Sequence, residues 1–265
     1  MIKSHSNARE VKMSDNGMAS PPSIFFQGAS WGCVYYISVY IAMLEKWGDA
    51  LYDMKIGGDS SGALIALGIK LRASPTTMRS IYHRLASRAR SEGVWGRMSI
   101  YHTEALATLL SNGDEYKLLN GQLFVGITRF FQKHELISQW ESQQDLINTL
   151  HASFHIPIYC THIAPVCGKW AIDGVFSSSS SMLCENTISV GWMCVGRTIH
   201  PPEDLNNVSF IKPLSDGDVI KRETSWCHAN VCMCASNTSH RDRSVYGWVV
   251  VTLIWMLRVV EYLKC

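Results

Sequence analysis

The sequence predicts an α/β protein with a mainly parallel central sheet covered by helices. Two consecutive units of strand, short loop and helix indicate this class. In the first unit, residues 23–26 have the pattern of a strand and residues 33–47 that of a strongly apolar helix. In the second, a strand at residues 54–57 precedes a helix at 61–71. Ligands of such sheets bind at the carboxyl ends of the strands, so the two loops that follow these strands are predicted to meet at one site.

The later sequence continues with helices and strands of similar length. Asn112-Gly113-Asp114 marks a turn between them, and Pro157 ends a predicted helix. The serine run at 177–181 is predicted to form a mobile loop. The further helices are predicted at residues 76–89, 103–111 and 143–154, and the further strands at 123–128 and 170–172.

Length and charge restrict the organisation of the chain and its partners. With 265 residues it can form one sizeable α/β domain. A disordered polar tail is expected at 1–22, and a divergent tail with a short apolar segment at 223–265. The 24 basic and 22 acidic residues are spread along the chain and form no basic stripe. We therefore expect no nucleic-acid partner.

The N-terminus and the apolar segment at 245–257 bear on the compartment. The first twenty residues contain no apolar core long enough for a secretory signal, and the nine cysteines are an odd number. Free thiols in a reducing, cytoplasmic compartment are therefore expected. The apolar segment is shorter than the about 20 residues that a membrane-spanning helix needs, which favours a core element or peripheral contact with a membrane.

The cysteines and histidines do not match a metal-binding motif. A late cluster of soft ligands lacks the paired Cys-x-x-Cys spacing of zinc sites, so no metal is predicted. Three other cysteines have apolar neighbours and are expected to be small core residues. The late cluster comprises Cys227, His228, Cys232, Cys234 and His240, and the three core cysteines are Cys33, Cys160 and Cys194.

The motif with the most chemical content is Gly58-Asp59-Ser60-Ser61-Gly62, between the second predicted strand and its helix. A Gly-x-Ser-x-Gly sequence at a strand-to-helix turn is typical of serine acyl hydrolases, because small neighbours allow the nucleophile to occupy a strained turn. Ser60 is the candidate nucleophile. The alternative is a tight turn without a nucleophile.

A serine nucleophile needs a base and hydrogen-bond donors for the oxyanion. The loop after the first strand supplies candidate donors in the backbone amides of Gly28, Ala29 and Ser30, next to the start of a helix. This loop could also be an ordinary tight turn. Asp173-Gly174 follows the last predicted strand, although an isolated Asp-Gly pair is usually a turn.

Residues 26–45, 54–71 and 121–174 together resemble the patatin-like phospholipase family, particularly its adipose triglyceride lipase and adiponutrin branch. The family has a glycine-rich oxyanion loop, a Gly-x-Ser-x-Gly elbow and then an Asp-Gly pair, in the order found here. The resemblance extends over residues 23–222, to which we therefore assign the domain, and it implies a three-layer α/β/α sandwich. It also implies a catalytic dyad without histidine, in which Ser60 matches the nucleophile and Asp173 the base.

The resemblance further implies an enzyme that cleaves fatty-acyl esters of glycerolipids, either phospholipid or triacylglycerol, through an acyl-serine intermediate. Transfer of the acyl group to an alcohol is a close variant. Lipid catabolism at a membrane or lipid-droplet surface would be the setting, and no metal or organic cofactor is implied.

Two alternatives remain open at this point. In the oxyanion loop, Ser30 and Cys33 stand where the family has its second and third glycines, and Asp59 replaces a small or apolar residue of the elbow. These differences fit a lipid-binding or lipid-droplet-associated module with an impaired oxyanion hole. A Ser-His-Asp esterase is the other alternative. Its histidine would be one of His155, His162, His200 and His228.

Overall fold

The computed structural model describes residues 22–129, 134–161, 165–177, 183–184, 186–191, 198–200 and 215. The predicted N-terminal tail, apart from Pro22, lies outside these residues, as do most of the serine run and the whole of 223–265. The late Cys and His cluster and the apolar segment at 245–257 are therefore also outside. The proposed domain boundaries stay predictions.

The described residues form a mixed α/β structure around one sheet. In the order β4-β3-β2-β1-β6, four strands run parallel, and β4 and β5 both pair antiparallel with β3. The predicted class, α/β with a mainly parallel central sheet flanked by helices, is confirmed. The strands are β1 (Ser23–Phe26), β2 (Ile56–Asp59), β3 (Leu123–Arg129), β4 (His134–Ile137), β5 (Ala171–Asp173) and β6 (Thr187–Val190).

Within the described ranges, six α-helices accompany the sheet, and two of them determine where the site lies. The second packs on β2, and the sixth packs on β3 and β5. Between the first strand and first helix, Ser30–Cys33 forms a short 3-10 helix. The helices are α1 (Val34–Trp47), α2 (Ser61–Lys70), α3 (Pro75–Glu92), α4 (Met98–Leu109), α5 (Glu115–Leu119) and α6 (Gln143–Ser153).

Local chemistry explains several helix boundaries. Ser74 caps α3, because its Oγ accepts the N–H of Thr77 at 3.1 Å, and Pro75 occupies the first helical position. Ser142 caps α6 in the same way by accepting the N–H of Asp145 at 3.1 Å. Helix α1 ends at Gly48, whose φ of 54° suits a residue without a side chain.

The core of the described residues has one large apolar cluster and a second, small one of Ile127, Ala152, Val166 and Ala171. Tyr35, Tyr36 and Tyr40 of α1 are almost completely buried in the large cluster. Cys33 and Cys160 are also buried, as expected, whereas Cys194 lies outside the described residues. Among the described residues, no helix is long and apolar enough to cross a membrane.

The structure corrects three details of the predicted elements. Strand β2 begins at Ile56 and includes Asp59, so the elbow starts later than predicted. Helix α4 begins at Met98, one turn before the predicted start. Strands β4 and β6 were not predicted, because both are only four residues long and most of their residues are partly exposed or polar.

Candidate active site

Ser60 forms the turn between β2 and α2. Its φ of 52° lies in the left-handed region, where a residue with a Cβ is strained. Such strain costs on the order of 1–3 kcal/mol and persists only where the surroundings fix it. Ser60 itself is 8% exposed. This is the geometry expected of a nucleophile elbow.

The glycines of the motif allow close backbone contact at the elbow. A Cβ on Gly58 would collide with the backbone of Gly62. A Cβ on Gly62 would collide with the carbonyl groups of Phe26 and Gln27 at the end of β1. Both positions therefore require glycine, and Gly62 brings the elbow against the predicted oxyanion loop.

The structure brings Ser60 and Asp173 together, although they are distant in sequence. The Ser60 hydroxyl is close enough to the Asp173 carboxylate to lower its pKa by hydrogen bonding. Oδ1 of Asp173 accepts the N–H of Val175 at 2.9 Å. Its Oδ2 is buried and has no partner that meets strict hydrogen-bond geometry. The carboxylate thus retains accepting capacity beside the serine.

Burial governs the proton affinity of Asp173. The residue is 0% exposed, and desolvation raises the pKa of its carboxyl from 3.8 to about 7. The hydrogen bonds from Ser60 and Val175 oppose this rise, while the charge of Asp59 adds to it. A carboxylate with a pKa near 7 can both accept and return a proton near neutral pH.

Strand β5 and its neighbours place Asp173. Ile127 of β3 is its register partner, and Thr128 Oγ1 donates to the Asp173 carbonyl at 2.8 Å. Nearby, the Arg129 guanidinium donates through Nη1 to the carbonyl of Val166 at 2.7 Å. This hydrogen bond connects the segment before β5 to the end of β3.

Ser153, at the end of α6, was not predicted as a site residue. Its Oγ accepts the backbone N–H of Ser60 at 2.9 Å and donates to the carbonyl of Gly126 at 2.7 Å. The residue is completely buried. A small polar residue at the buried end of a helix is too common for the sequence to have indicated this contact.

The predicted oxyanion loop lies beside the nucleophile. A Cβ on Gly28 would lie 3.1 Å from the Cβ of Ser60. The Ala29 amide, however, donates to the side chain of Ser61 at 3.0 Å. Ser30 has a φ of 47°, so the loop is strained at the position where the family has glycine.

Cys33 lies close to Ser61, the residue that accepts the hydrogen bond from the Ala29 amide. Burial raises the pKa of its thiol to about 12, and the nearby Ser61 side chain opposes this rise. The thiol is therefore protonated at neutral pH. Ala29, Ser61 and Cys33 form a small polar network at the start of α2, in which Ser61 links the loop to the elbow.

Asp59 is completely buried at the end of β2 and meets a histidine that was not predicted for the site. Its Oδ1 lies 2.7 Å from Nε2 of His134 on β4. Glycine at 126 and 174 makes room for this carboxylate, since a Cβ on either residue would collide with it. A charged residue at the end of an apolar strand needs a hydrogen-bonding or oppositely charged partner. The sequence did not identify His134 as that partner of Asp59.

Of the four histidines proposed for a triad, the structure describes His155 and His200. His155 is buried, and its backbone carbonyl accepts the N–H of Asp173 at 3.0 Å. His200 is partly exposed. His162 and His228 lie outside the described residues. Among the described residues, no group of three or more His, Cys, Asp or Glu could hold a metal ion.

Comparison with known proteins gives partial matches. No protein-family model matches the chain. The crystal structure of the type III effector protein ExoU overlaps 78% of this chain and 52% of its own, at 11% identity and a TM-score of 0.37.

Two curated proteins match a short part of the sequence. Omega-hydroxyceramide transacylase of Mus musculus is 37% identical over 67 residues, which are 24% of this chain and 11% of that protein. The Homo sapiens protein of the same name is 36% identical over 66 residues, 24% of this chain and 12% of that protein. The match thus spans about a tenth of the length of these relatives. Over that part, this chain is similar to two mammalian transacylases.

Proposed function

We propose that this chain is a patatin-like serine acyl hydrolase that cleaves fatty-acyl esters of glycerolipids. One observation carries the proposal. Ser60 occupies a strained strand-to-helix turn, and its hydroxyl is close enough to the completely buried carboxyl group of Asp173 to lower the pKa of that carboxyl. A serine so placed has both the strained backbone geometry of a nucleophile elbow and a candidate base nearby.

In the proposed reaction, Ser60 Oγ attacks the ester carbonyl while Asp173 accepts the hydroxyl proton. The protonated Asp173 then donates that proton to the leaving alcohol as the tetrahedral intermediate collapses. In the second half, Asp173 removes a proton from water, and the water oxygen attacks the acyl-serine carbonyl. As this second tetrahedral intermediate collapses, the bond to Ser60 Oγ breaks, Asp173 returns the proton to Ser60 Oγ, and the fatty acid is released. The raised pKa of Asp173 suits these alternating roles.

The oxyanion would be received by backbone amides of the loop from Gly28 to Ser30. This loop touches the elbow at Gly28 and Gly62. Helix α2 begins at Ser61, directly after the candidate nucleophile, so the positive end of its dipole lies beside Ser60. Backbone amide donors stabilise the developing charge, and loss of one typically costs about 10²- to 10³-fold in rate.

The acyl acceptor need not be water. Both mammalian relatives are transacylases by name, so an alcohol on a second lipid is a reasonable acceptor in place of water. The patatin-like resemblance, including the adipose lipase branch, supports glycerolipid as the acyl donor. A membrane or lipid-droplet surface in the cytoplasm would supply such substrates.

A second candidate is a lipid-binding module with a disabled oxyanion hole. One observation favours it, since the Ala29 amide is already engaged by the Ser61 side chain. An amide that donates to a neighbouring hydroxyl is not free to receive an oxyanion. In this case the fold would bind acyl chains without cleaving them.

Labelling with a fluorophosphonate probe tests the proposed function without knowledge of the substrate. Wild-type protein should be labelled, and Ser60→Ala and Asp173→Asn should not. Asp145→Asn, which alters an exposed carboxylate at the start of α6, is the control and should label normally. If folded wild type resists the probe, the lipid-binding candidate is favoured. If Asp173→Asn labels as fast as wild type, a different base is required.

Hydrolysis and transfer are then separated with labelled lipids. Phospholipid and triacylglycerol carrying a labelled acyl chain are incubated with and without a long-chain alcohol. Free fatty acid indicates hydrolysis, whereas a new ester indicates transfer. Ser60→Ala should abolish both products, because both pass through the same acyl-serine.

A further inference from the structure

Both residues of the proposed dyad are held through their backbone amides by one short segment, Ser153 to His155. The N–H of Ser60 donates to Ser153 Oγ at 2.9 Å. The N–H of Asp173 donates to the carbonyl of His155 at 3.0 Å. One turn of chain at the end of α6 therefore contacts the nucleophile and the base at once.

The orientation of the Ser153 hydroxyl is determined by its two partners. A hydroxyl has one hydrogen to donate and two lone pairs that accept. Here the hydrogen goes to the Gly126 carbonyl at 2.7 Å, which leaves a lone pair for the N–H of Ser60. Ser153 is 0% exposed, so water does not compete with these bonds. The side chain ties α6, β3 and the elbow together.

The hydrogen bond to Ser153 acts on Ser60, the strained residue of the site. The left-handed φ of Ser60 is unfavourable for any residue with a Cβ, so contacts around it must hold the turn. The hydrogen bond that the Ser60 N–H donates to Ser153 Oγ fixes the peptide plane before Ser60. The Cα atom of Ser60 belongs to this plane and carries the side chain. Holding the plane therefore restricts the direction in which the side chain leaves the backbone.

The base is positioned by the same segment. Strand β5 has only three residues, so few ladder hydrogen bonds hold Asp173. The His155 carbonyl supplies one of its anchors, and α6 packs on both β3 and β5. A shift of the end of α6 would therefore change the separation between the nucleophile and the base.

We propose that Ser153 is a positioning residue that aligns Ser60 with Asp173. The proposal rests on the dyad proposed above, and it assigns no contact with substrate to Ser153. Misplacement of reacting groups by about 1 Å can cost on the order of 100-fold in rate. Loss of the hydroxyl should thus slow the chemical step and leave probe affinity unchanged.

The test compares Ser153→Ala with Thr149→Val, a control in the same helix. Thr149 is also buried, and its hydroxyl likewise makes two hydrogen bonds, accepting from Trp140 Nε1 at 3.1 Å and donating to the Asp145 carbonyl at 2.7 Å. Both variants lose one buried hydroxyl, but only one loses a contact with the elbow. The maximal inactivation rate and the half-saturating concentration of the fluorophosphonate probe are measured on folded protein.

For Ser153→Ala we expect a maximal inactivation rate about 10- to 100-fold below wild type, with an unchanged half-saturating concentration. Thr149→Val should label like wild type, even if it unfolds more easily. Equal rates in Ser153→Ala and wild type would overturn the proposal. Equal slowing in both variants would also overturn it, because the effect would then reflect general loss of packing.

Amide exchange separates this inference from the proposed function. The Ser60 amide, followed by NMR, should exchange faster in Ser153→Ala than in wild type or Thr149→Val. If exchange accelerates but wild type is never labelled, Ser153 positions Ser60 and the hydrolase proposal fails. If exchange at Ser60 is unchanged, the positioning proposal fails whatever the activity.

Discussion

Asp59 Oδ1 and His134 Nε2 lie 2.7 Å apart. Asp59 directly precedes the candidate nucleophile in sequence, whereas His134 comes from strand β4. The Asp59 side chain is 0% exposed and that of His134 14%. The second carboxylate oxygen of Asp59 is buried without a hydrogen-bond partner. A carboxylate so enclosed depends on its partner, and the ring of His134 is the partner that its Oδ1 contacts.

Removal of His134 should therefore destabilise the protein strongly. In His134→Ala, the Asp59 carboxylate would be left buried and unpaired, at a cost of about 3 to 5 kcal/mol in the free energy of unfolding. Adding Asp59→Asn should recover part of this loss, because the uncompensated charge is removed. Urea denaturation of the two single variants and the double variant measures the coupling. Simple additivity would argue against the pair.

Asp59 should also influence the base. Its negative charge raises the pKa of Asp173, although burial is the larger cause. In Asp59→Asn, the pKa of Asp173 should fall, and the acidic limb of the labelling rate should move to lower pH. Rates across pH for wild type and variant provide the measurement. A shift to higher pH would show that Asp59 acts on Asp173 with the opposite sign.

Activity and stability should depend on pH in opposite directions. Asp173 can act as a base only when deprotonated, so the labelling rate should rise with pH through about 7. Its folded-state pKa lies above the ordinary 3.8, so the folded protein binds this proton more tightly than the unfolded chain. The contribution of Asp173 to stability should therefore decline as pH rises from 3.8 to about 7. Asp173→Asn should remove this component from denaturation curves, and an identical pH dependence in that variant would contradict the assignment.

Ser61 provides a test of the oxyanion loop. In Ser61→Ala, the Ala29 amide loses its present acceptor and becomes available to the oxyanion. Since a hydrogen bond of this kind contributes about 0.5–1.5 kcal/mol, labelling should accelerate by about 2- to 10-fold. Ser61→Thr keeps the hydroxyl and should label like wild type. Slower labelling of Ser61→Ala would mean that Ser61 supports the loop instead of occupying its donor.

The contact at Gly62 should make that glycine irreplaceable. In Gly62→Ala, the new methyl group would collide with the carbonyls of Phe26 and Gln27, which are backbone atoms that cannot rotate away. We expect a loss of at least about 2 kcal/mol in unfolding free energy. Gly32→Ala is the matched control, because its Cβ would meet only the Cβ of Ala29 at 3.8 Å. Equal stability of the two variants would contradict this account.

The sequence predicted those parts of the site that depend on local patterns. The β1 and β2 strand-loop-helix units follow from apolar runs and turn residues, and Ser60 follows from the Gly-x-Ser-x-Gly spacing. Asp173 came from the family resemblance, since its Asp-Gly pair has no distinctive local pattern. The structure places its side chain beside Ser60, while the catalytic role remains a prediction.

The contacts that the sequence could not predict join distant segments. Ser153 and His134 reach the elbow only because the sheet brings β3, β4 and α6 beside β2. Nothing in the spacing of Ser153 or His134 distinguishes them from other polar residues. The engagement of the Ala29 amide by Ser61 depends on side-chain direction, which hydrophobic periodicity does not report.

The long sequence separation of the contacts around Ser60 has a consequence for folding. The elbow belongs to a local strand-loop-helix unit, whereas its bond to Ser153 spans 93 residues, and the bond from Thr128 that places Asp173 spans 45. Contacts of large separation form slowly because long loops must close first. We expect a refolding chain to acquire helical circular dichroism before it reacts with the probe. The nascent protein would then have a serine without its base, and therefore no acyl chemistry, until the last elements dock.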